Sequence, residues 1–292
     1  MTAVAAPSSA ASAASVGKLV AMLRKIVPHV VVFACVLALW QVAADTGLIN
    51  AFLLPPPSKV GAAIAEIYLI DGKIYWPFLI TLYEAVAGFA IGASIGVSLA
   101  VASSLSGIFR RYFSPYAIVL NVTPGLALTP IIIAWFGFGL SSKIALAAII
   151  CFFPVFVNTL TGLTGVDHER AEMFRALGAG RLQTFWKLEV PSALPVAMAG
   201  LKIGMTTALV GAVVAEFTQA SVGVGVLMQR FSFQLDMASA IAALLSMSLM
   251  GLLLFTAMEI LDDRLVFWRR DERMAAVGRR RRAAWRSGRA SR

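Results

Sequence analysis

Few residues of this 292-residue chain carry side chains that could do chemistry. The two cysteines, Cys35 and Cys151, lie inside apolar runs, where a thiol behaves as a small hydrophobic side chain. The two histidines, His29 and His168, are too isolated in sequence to form a metal-ligand cluster. The pattern G-x-x-x-x-G-K-[ST], which cradles nucleotide phosphates, does not occur. We therefore expect neither a metal centre nor ATP hydrolysis by this chain.

Polar side chains inside apolar runs are the next candidates. Lipid cannot satisfy their hydrogen bonds, so such groups usually face a cavity or another helix. Asn121 and Thr123 stand beside Pro124, where the missing N–H interrupts helical hydrogen bonding. Hydrogen bonds between helices are the alternative explanation for every member of the set. We predict that five such residues line a polar path: Glu84, Asn121, Thr123, Asn158 and Glu216.

The composition indicates that membrane-spanning helices position these residues. The chain is 59% hydrophobic and 14% charged, and its mean hydropathy is +0.83. The apolar runs are continuous rather than alternating, which favours helices over a membrane β-barrel. A cleaved signal peptide is the alternative for the first run, because Val42-Ala43-Ala44 resembles a cleavage site. We predict an all-α membrane protein with six transmembrane helices, at residues 26–44, 81–104, 115–138, 144–163, 197–217 and 238–261.

Prolines and glycines predict local features of these helices. The sequence LLPPPS forces an extended turn, after which Ser58 can cap a short amphipathic helix at the membrane interface, residues 58–70. Pro124 and Pro130 predict a kinked third span. Glycines recur at spacing four in the second and fifth spans, and we expect them to pack helices within one chain rather than to form a dimer seam. They are Gly88, Gly92, Gly96, Gly200 and Gly204.

Residues 167–195, named here the polar segment, form the longest polar stretch between two apolar blocks. Asp167 can cap a helix whose apolar residues recur at spacing three. Gly178 stands where the end of that helix requires a positive φ. A second short helix can begin near Arg181 and stop at Pro191. We predict a helix–turn–helix knob, although an ordinary loop packed on its own domain fits the composition equally well.

The distribution of Lys and Arg predicts the orientation in the membrane. If both termini lie on one side, that side receives 20 of the 25 Lys and Arg residues. The excess of cations on cytoplasmic loops therefore places both termini and the polar segment in the cytoplasm. The net charge of +10 then reflects topology and attraction to anionic lipid rather than nucleic acid. RNA binding by the four arginines at 279–282 is a weaker alternative.

The polar segment also resembles a known family. The spacing of Glu172, Gly178, Leu188, Val190 and Pro191 resembles the EAA loop in permease subunits of bacterial ABC importers. Other stretches resemble the branch that serves nitrate, sulfonates and taurine: LLPPPSKV, TLYEAVAGFAIG, TPIIIAWFGFGLSSK, FFPVFVNTLTG and AEFTQASVGVG. The resemblance covers residues 27–268 and implies the transmembrane domain of a type I ABC importer (MetI-like), located in the bacterial inner membrane.

On this basis, we divide the chain into three parts. Residues 1–17 are an Ala/Ser-rich tail that we expect to be disordered, because the stretch is of low complexity. Residues 18–268 form the six-span permease domain, which includes the polar segment. Residues 269–292 form an Arg-rich tail, which we expect in the cytoplasm.

The resemblance implies partners and roles. Such a permease works as two copies, which we expect to be identical, with a cytoplasmic ABC ATPase dimer and a periplasmic or lipid-anchored substrate-binding protein. The ATPase binds ATP and magnesium, and this chain is expected to bind no cofactor. Glu216 matches a stretch that suggests a structural role at the periplasmic gate or loop. Docking on the ATPase is assigned to Ala171, Glu172, Phe174, Leu177, Gly178 and Ala179.

Two departures from the family pattern stand out. Met173 and Phe174 replace the two alanines that usually follow the motif glutamate, which makes the knob bulkier. Glu84 stands where a basic residue is common in the family. The expected substrate is a small solute, anionic or sulfonate-, nitrate- or aromatic-like. Two other function classes remain as alternatives: a secondary transporter or channel, and a membrane scaffold that binds a soluble partner without transport.

Overall fold

The computed structural model describes residues 9–218 and 222–268. In these ranges the secondary structure is helical, with short π-helical turns at Glu66–Ile70 and Phe185–Glu189. Five helices are long and apolar enough to span a membrane, and one bent pair supplies a sixth span. The predicted all-α, six-span architecture is thereby confirmed. The α-helices are α1 Ser9–Asp45, α2 Pro57–Ala65, α3 Tyr75–Leu105, α4 Gly107–Val122, α5 Gly125–Phe136, α6 Leu140–Thr164, α7 His168–Ala176, α8 Arg181–Thr184, α9 Val190–Thr218, α10 Val224–Phe233 and α11 Met237–Leu265.

The first helix begins well before the predicted span. Residues 9–17, which the sequence predicts as part of a disordered tail, have a backbone that continues α1. Alanine has the highest helix propensity of all residues, so this Ala-rich stretch extends a helix that the apolar run already forms. Residues 1–8 of the predicted tail, and the whole Arg-rich tail at 269–292, lie outside the described residues.

The predicted short helix after the first span is present as α2 and its π-helical turn. Pro56, rather than Ser58, precedes the helix, and the Ser58 amide instead donates to Gln41 Oε1 of α1 at 3.2 Å. The Tyr68 hydroxyl donates to Ser246 Oγ of α11 at 2.8 Å. This helix is therefore tied at one end to α1 and at the other to α11.

The third span is broken rather than kinked. α4 and α5 meet at 101°. The break falls at Thr123 and Pro124, where Thr123 has an extended backbone (φ −68°, ψ 122°), the conformation that a following proline favours. Pro130 was also expected to contribute to the kink, but it lies inside α5, which continues to Phe136.

α6 is the central helix of the domain, and it packs against both α3 and α9. A Cβ atom on Gly92 of α3 would lie 2.3 Å from the carbonyl oxygen of Ala148. One on Gly200 of α9 would lie 2.4 Å from the Cβ of Asn158. Both glycine stripes therefore face α6 of the same chain, which confirms the prediction that they pack helices within one subunit.

The polar segment runs into the membrane without the predicted stop at Pro191. α8, the second π-helical turn and α9 together form one continuous span, Arg181–Thr218. The extra residue in the π-helical turn shifts the hydrogen-bond register just before Pro191, whose nitrogen has no proton to donate. The expected second short helix is therefore the beginning of the fifth span. The following loop, 222–236, contains the additional helix α10.

Candidate functional site

The polar segment begins with α7, which is capped at both ends. The Asp167 carboxylate accepts a hydrogen bond from the amide two residues further on, at 3.1 Å. At the other end, the Ala179 amide donates to the Phe174 carbonyl at 3.0 Å, and the Gly178 amide donates to the Arg175 carbonyl at 2.9 Å. With Gly178 at φ 79°, these bonds form a Schellman motif. The predicted positive φ at Gly178 is therefore present, and backbone hydrogen bonds fix the turn.

The residues assigned to docking divide into two groups by exposure. Leu177 is 79% exposed and lies at the end of α7, outside the membrane spans. Glu172, another residue assigned to docking, has one carboxylate oxygen 3.1 Å from His168 Nε2 on the exposed side of α7. The exposed members are Glu172, Leu177 and Gly178, and the half-buried members are Ala171, Phe174 and Ala179.

Three further exposed apolar side chains lie on this segment and were not among the predicted docking residues. Met173, Leu182 and Trp186 are exposed by 53%, 67% and 62%. With Leu177 they give α7 and the start of the fifth span several exposed apolar side chains. The spacing of four between Leu182 and Trp186 was the available sequence signal, because residues four apart share a helix face. Phe185, which lies between these two residues in sequence, is by contrast buried.

Contacts at its base attach the polar segment to the membrane helices. The Arg181 guanidinium donates to the carbonyl of Leu105 at the end of α3. Phe185 packs in a small buried cluster with Leu163 of α6 and Ala193 of α9. The segment therefore rests on α3, α6 and α9, and its second half is continuous with α9.

The break between α4 and α5 borders a cavity of about 260 Å³. Asn121 and Thr123, two of the five predicted pathway residues, line it at the break, together with Gly125 at the start of α5. The Thr123 hydroxyl donates to the Val119 carbonyl at 2.8 Å, so its oxygen remains free to accept. The remaining lining comes from apolar side chains: Leu120, Leu126, Leu128, Ile149, Ile150, Phe153, Val210 and Val214.

Asn158 is not part of this cavity. Its side-chain amide donates to the Pro154 carbonyl one turn earlier on α6, at 2.8 Å. The close approach of Gly200 places α9 directly against the Asn158 side chain. Its contacts therefore fit the alternative explanation of a polar group used in helix packing.

Glu84 and Glu216 lie together in a buried polar cluster instead of lining the cavity. Both side chains are fully buried, and Lys143 Nζ lies 2.9 Å from Glu84 Oε1. The Lys143 ammonium also donates to the Val222 carbonyl at 2.6 Å. The Thr81 hydroxyl donates to Glu216 Oε1 at 2.5 Å. Contacts between helices therefore account for Glu216 and for Oε1 of Glu84, whereas Glu84 Oε2 is buried without a hydrogen-bond partner among the described residues. The role of both glutamates in a pathway stays a prediction.

The loop before α10 closes over this cluster. The Gly225 amide donates to Glu216 Oε2 at 2.6 Å, and the Val224 amide donates to Thr81 Oγ1 at 2.9 Å. A Cβ atom on Gly223, which has φ 151°, would lie 1.9 Å from Glu216 Oε1. Glycine is therefore required where the backbone meets the carboxylate. These contacts support the structural role at a loop that the resemblance suggests for Glu216.

Two cationic residues carry contacts that the sequence did not reveal. Lys143 looked like an ordinary loop residue next to the fourth span, yet it is 1% exposed. Lys202, inside the fifth span, lies with Nζ 2.7 Å from Asp262 Oδ2 of α11. A lysine within an apolar run was the signal, because a membrane helix tolerates a cation chiefly when a partner neutralises it.

No group of three or more potential metal ligands occurs within the described ranges 9–218 and 222–268. The described residues therefore contain three features of interest. They are the polar segment with its capped helix, an apolar cavity at a broken helix and a buried ionic cluster. None of these arrangements contains an activated nucleophile or a paired acid and base with access to a substrate.

Comparisons with known proteins agree with this arrangement. The family model for the inner membrane component of binding-protein-dependent transport systems matches residues 92–267. The putative aliphatic sulfonates transport permease protein SsuC of Bacillus subtilis is 32% identical, over 81% of this chain and 85% of that protein. The formylaminopyrimidine transport permease protein ThiX of Halalkalibacterium halodurans is 30% identical, over 82% of this chain and 95% of that protein.

A solved structure has the same fold. A chain of the inward-facing MetNI methionine ABC transporter superposes with a TM-score of 0.56 at 18% identity, covering 68% of this chain and 97% of that chain. At this low sequence identity, the match shows similarity of fold alone. It agrees with the type I importer transmembrane domain that the sequence resembles.

Proposed function

The chain belongs to the family of inner membrane components of binding-protein-dependent transport systems, and on that premise we propose that it imports a small sulfonate-like anion as the permease subunit of an ATP-driven transporter. The observation that carries this proposal is the polar segment. Its first helix is capped at both ends and bears exposed apolar side chains, and its second half continues into the membrane as α9. This is the construction that a soluble motor requires to move a membrane helix.

We expect a partner to supply the energy, because the family and the relatives of this chain are components of binding-protein-dependent transport systems and transport permeases. We expect a dimeric ABC ATPase in the cytoplasm, which binds ATP and magnesium and receives α7 in a cleft. Leu177 is the apolar anchor, and Glu172 supplies the charge beside it. When the ATPase dimer closes, it pulls α7, and the fixed turn at Gly178 passes the displacement to the fifth span as a rigid body.

The cavity at the broken third span supports an organic anion as the substrate. Apolar side chains from α5, α6 and α9 can accept its hydrocarbon part. The Asn121 amide and the N–H groups of Gly125 and Leu126, which precede the first hydrogen bond of α5 at Ala127, can donate to an acceptor-rich head group. A sulfonate combines both features, and the similarity to a sulfonate permease supports the same class. Because the chain is also similar to a formylaminopyrimidine permease, aromatic compounds that carry hydrogen-bond acceptors are the next substrates to test.

The remaining parts of the assembly follow from the family and the charge distribution. We propose two identical copies that enclose the pathway, and a periplasmic or lipid-anchored binding protein that delivers the substrate. The excess of Lys and Arg supports a cytoplasmic position for the termini and the polar segment. The buried cluster of Glu84, Lys143 and Glu216 then lies toward the periplasmic side, where it holds the loop before α10 against three membrane helices.

Capture of the cognate ABC ATPase by the tagged, detergent-solubilised permease tests the docking role. Leu177→Asp places a carboxylate on the exposed apolar surface of α7, and it should reduce capture by about tenfold or more, as expected for a desolvated interface anchor. Gly107→Asp is the matched control, because a side chain there meets open space at the exposed start of α4. Equal capture by both variants and the unchanged protein would contradict the assignment.

A further inference from the structure

A second cavity, of about 470 Å³, lies where the polar segment meets the start of the fifth span and the end of α11. Its volume is within the range of roughly 300–1,000 Å³ that small-ligand sites occupy. Arg170 of α7 and Lys187 of the π-helical turn line it from one side, and Trp268, just beyond α11, lines it from another. Among the residues that the structure describes, neither an aspartate nor a glutamate lines this cavity.

The two cations are available to an anion. Arg170 approaches Asp167 only through Nε, at 3.8 Å, which leaves the terminal nitrogens of its guanidinium free to donate. Lys187 is exposed and forms no ion pair with any residue that the structure describes. The hydroxyl of Ser192 adds a neutral donor to the same lining. By contrast, a neighbouring cavity lined by Arg175 and Arg181 also contains Glu189, which offsets their charge.

The position of the cavity points to the membrane surface. Pro191 and Pro195, at the beginning of α9, line it where the chain enters the apolar span. α11 ends at Leu265, so Trp268 stands where the chain leaves the sixth span. Tryptophan concentrates at the level of lipid head groups because its ring is apolar and its N–H is polar. The cavity therefore combines cations, a hydroxyl donor and apolar walls at the height of the head groups.

We propose that this cavity binds the phosphate group of an anionic membrane lipid. Arg170 and Lys187 neutralise the phosphate, Ser192 donates to one of its oxygens, and the glycerol and upper acyl carbons pack on Trp268 and the two prolines. Basic pockets between membrane helices on the cytoplasmic side are the known type of site for such head groups. A bound lipid bridges α7 to the ends of α9 and α11, so it holds the polar segment against these two helices.

Binding of defined lipids to the full chain in neutral detergent tests this proposal. The probes are short-chain phosphatidylglycerol and phosphatidylcholine at matched concentrations, and the readouts are native mass spectrometry and the thermal unfolding midpoint. We expect phosphatidylglycerol to raise the midpoint and to remain bound, and phosphatidylcholine to do neither. Glycerol phosphate and inorganic phosphate are tested in separate binding experiments. If they bind as tightly as the lipid, the lipid is the wrong source of the phosphate.

Three double variants test whether phosphatidylglycerol binds at this cavity. Arg170→Gln with Lys187→Gln should lower the affinity for phosphatidylglycerol at least tenfold. Arg110→Gln with Arg111→Gln removes the same charge from exposed positions on α4 and should leave the affinity unchanged. Arg170→Lys with Lys187→Arg keeps the charge and should retain binding, which guards against a folding defect in the first pair. Unchanged affinity in the first pair, or an equal loss in the second, would overturn the proposal.

Discussion

At the scale of single residues, Gly178 and Gly223 are glycines for different structural reasons. Gly178 supplies a backbone conformation, since its φ is 79° and a Cβ atom there would meet nothing within 4 Å. Gly223 supplies both a conformation and space, because a Cβ atom would collide with the Glu216 carboxylate. The first could be predicted from its position after a helix, whereas the second depends on a contact with another part of the chain.

Gly178→Asp should abolish ATP-driven uptake while leaving expression and membrane insertion intact. The left-handed backbone costs a residue with a Cβ atom about 1–2 kcal/mol, which weakens the turn that transmits the motion of α7. Uptake into proteoliposomes, normalised to the amount of inserted protein, measures the effect. Gly180→Asp is the matched control, because it adds the same charge two residues away at φ −70° and in open space. Equal loss in both variants would show that charge, and not the turn, matters.

Gly223→Ala should destabilise the protein by about 2–4 kcal/mol, because it forces the Glu216 carboxylate away from its buried donors. The unfolding midpoint of the detergent-solubilised protein reports this loss. Gly61→Ala adds the same methyl group to α2 in open space, and there the better helix propensity of alanine should leave stability equal or slightly higher. A Gly223→Ala midpoint matching that of the unchanged protein is incompatible with the described contact.

At the scale of elements, three prolines in two spans have three different effects on the helix. Pro124 breaks the third span, Pro130 lies inside α5, and Pro191 is accommodated by a π-helical turn that keeps the fifth span continuous. Sequence predicts that each proline lacks a donor, but only packing decides whether the helix bends, breaks or changes register. This is why the predicted kink was too mild and the predicted stop at Pro191 was wrong.

The ionic contact between α3 and α6 yields a prediction at the same scale. Lys143→Met removes the only positive charge within bonding distance of the Glu84 carboxylate in the part of the chain described, and it should cost about 3–5 kcal/mol. The double variant Glu84→Gln with Lys143→Met removes both charges and should recover most of that loss. Thermal unfolding of the four proteins forms a double-mutant cycle. Additive losses would mean that the two side chains do not interact.

At the scale of the whole molecule, the sequence was sufficient for the six spans and for the family, and insufficient for the buried cluster. Long apolar runs and the glycine stripes depend on local composition, so the helices and their packing within one chain could be predicted, whereas α6 as the common partner could not. Glu84 and Lys143 are 59 residues apart, and Thr81 and Glu216 are 135 apart. Such pairings follow from the tertiary arrangement of α3, α6 and α9, which no local pattern encodes.

Orientation is a property of the whole molecule and can be tested with single cysteines, introduced after the two native ones, Cys35 and Cys151, are replaced by alanine. Arg175→Cys lies on α7 in the proposed cytoplasmic segment, and Lys59→Cys lies on α2 on the proposed periplasmic side. A membrane-impermeant maleimide added to intact spheroplasts should label Lys59→Cys and not Arg175→Cys, and lysis should expose Arg175→Cys. The reverse pattern would invert the topology derived from the distribution of Lys and Arg.

ATP-driven uptake in proteoliposomes tests the central claim most directly. The permease is reconstituted with its cognate ATPase and binding protein, and accumulation of a radiolabelled aliphatic sulfonate is measured with ATP, without ATP and without the ATPase. We expect accumulation against a gradient only when the ATPase and ATP are both present. Equal uptake by the permease alone, driven by the substrate or an ion gradient, would contradict the proposed ATP-driven import and identify a secondary transporter or channel.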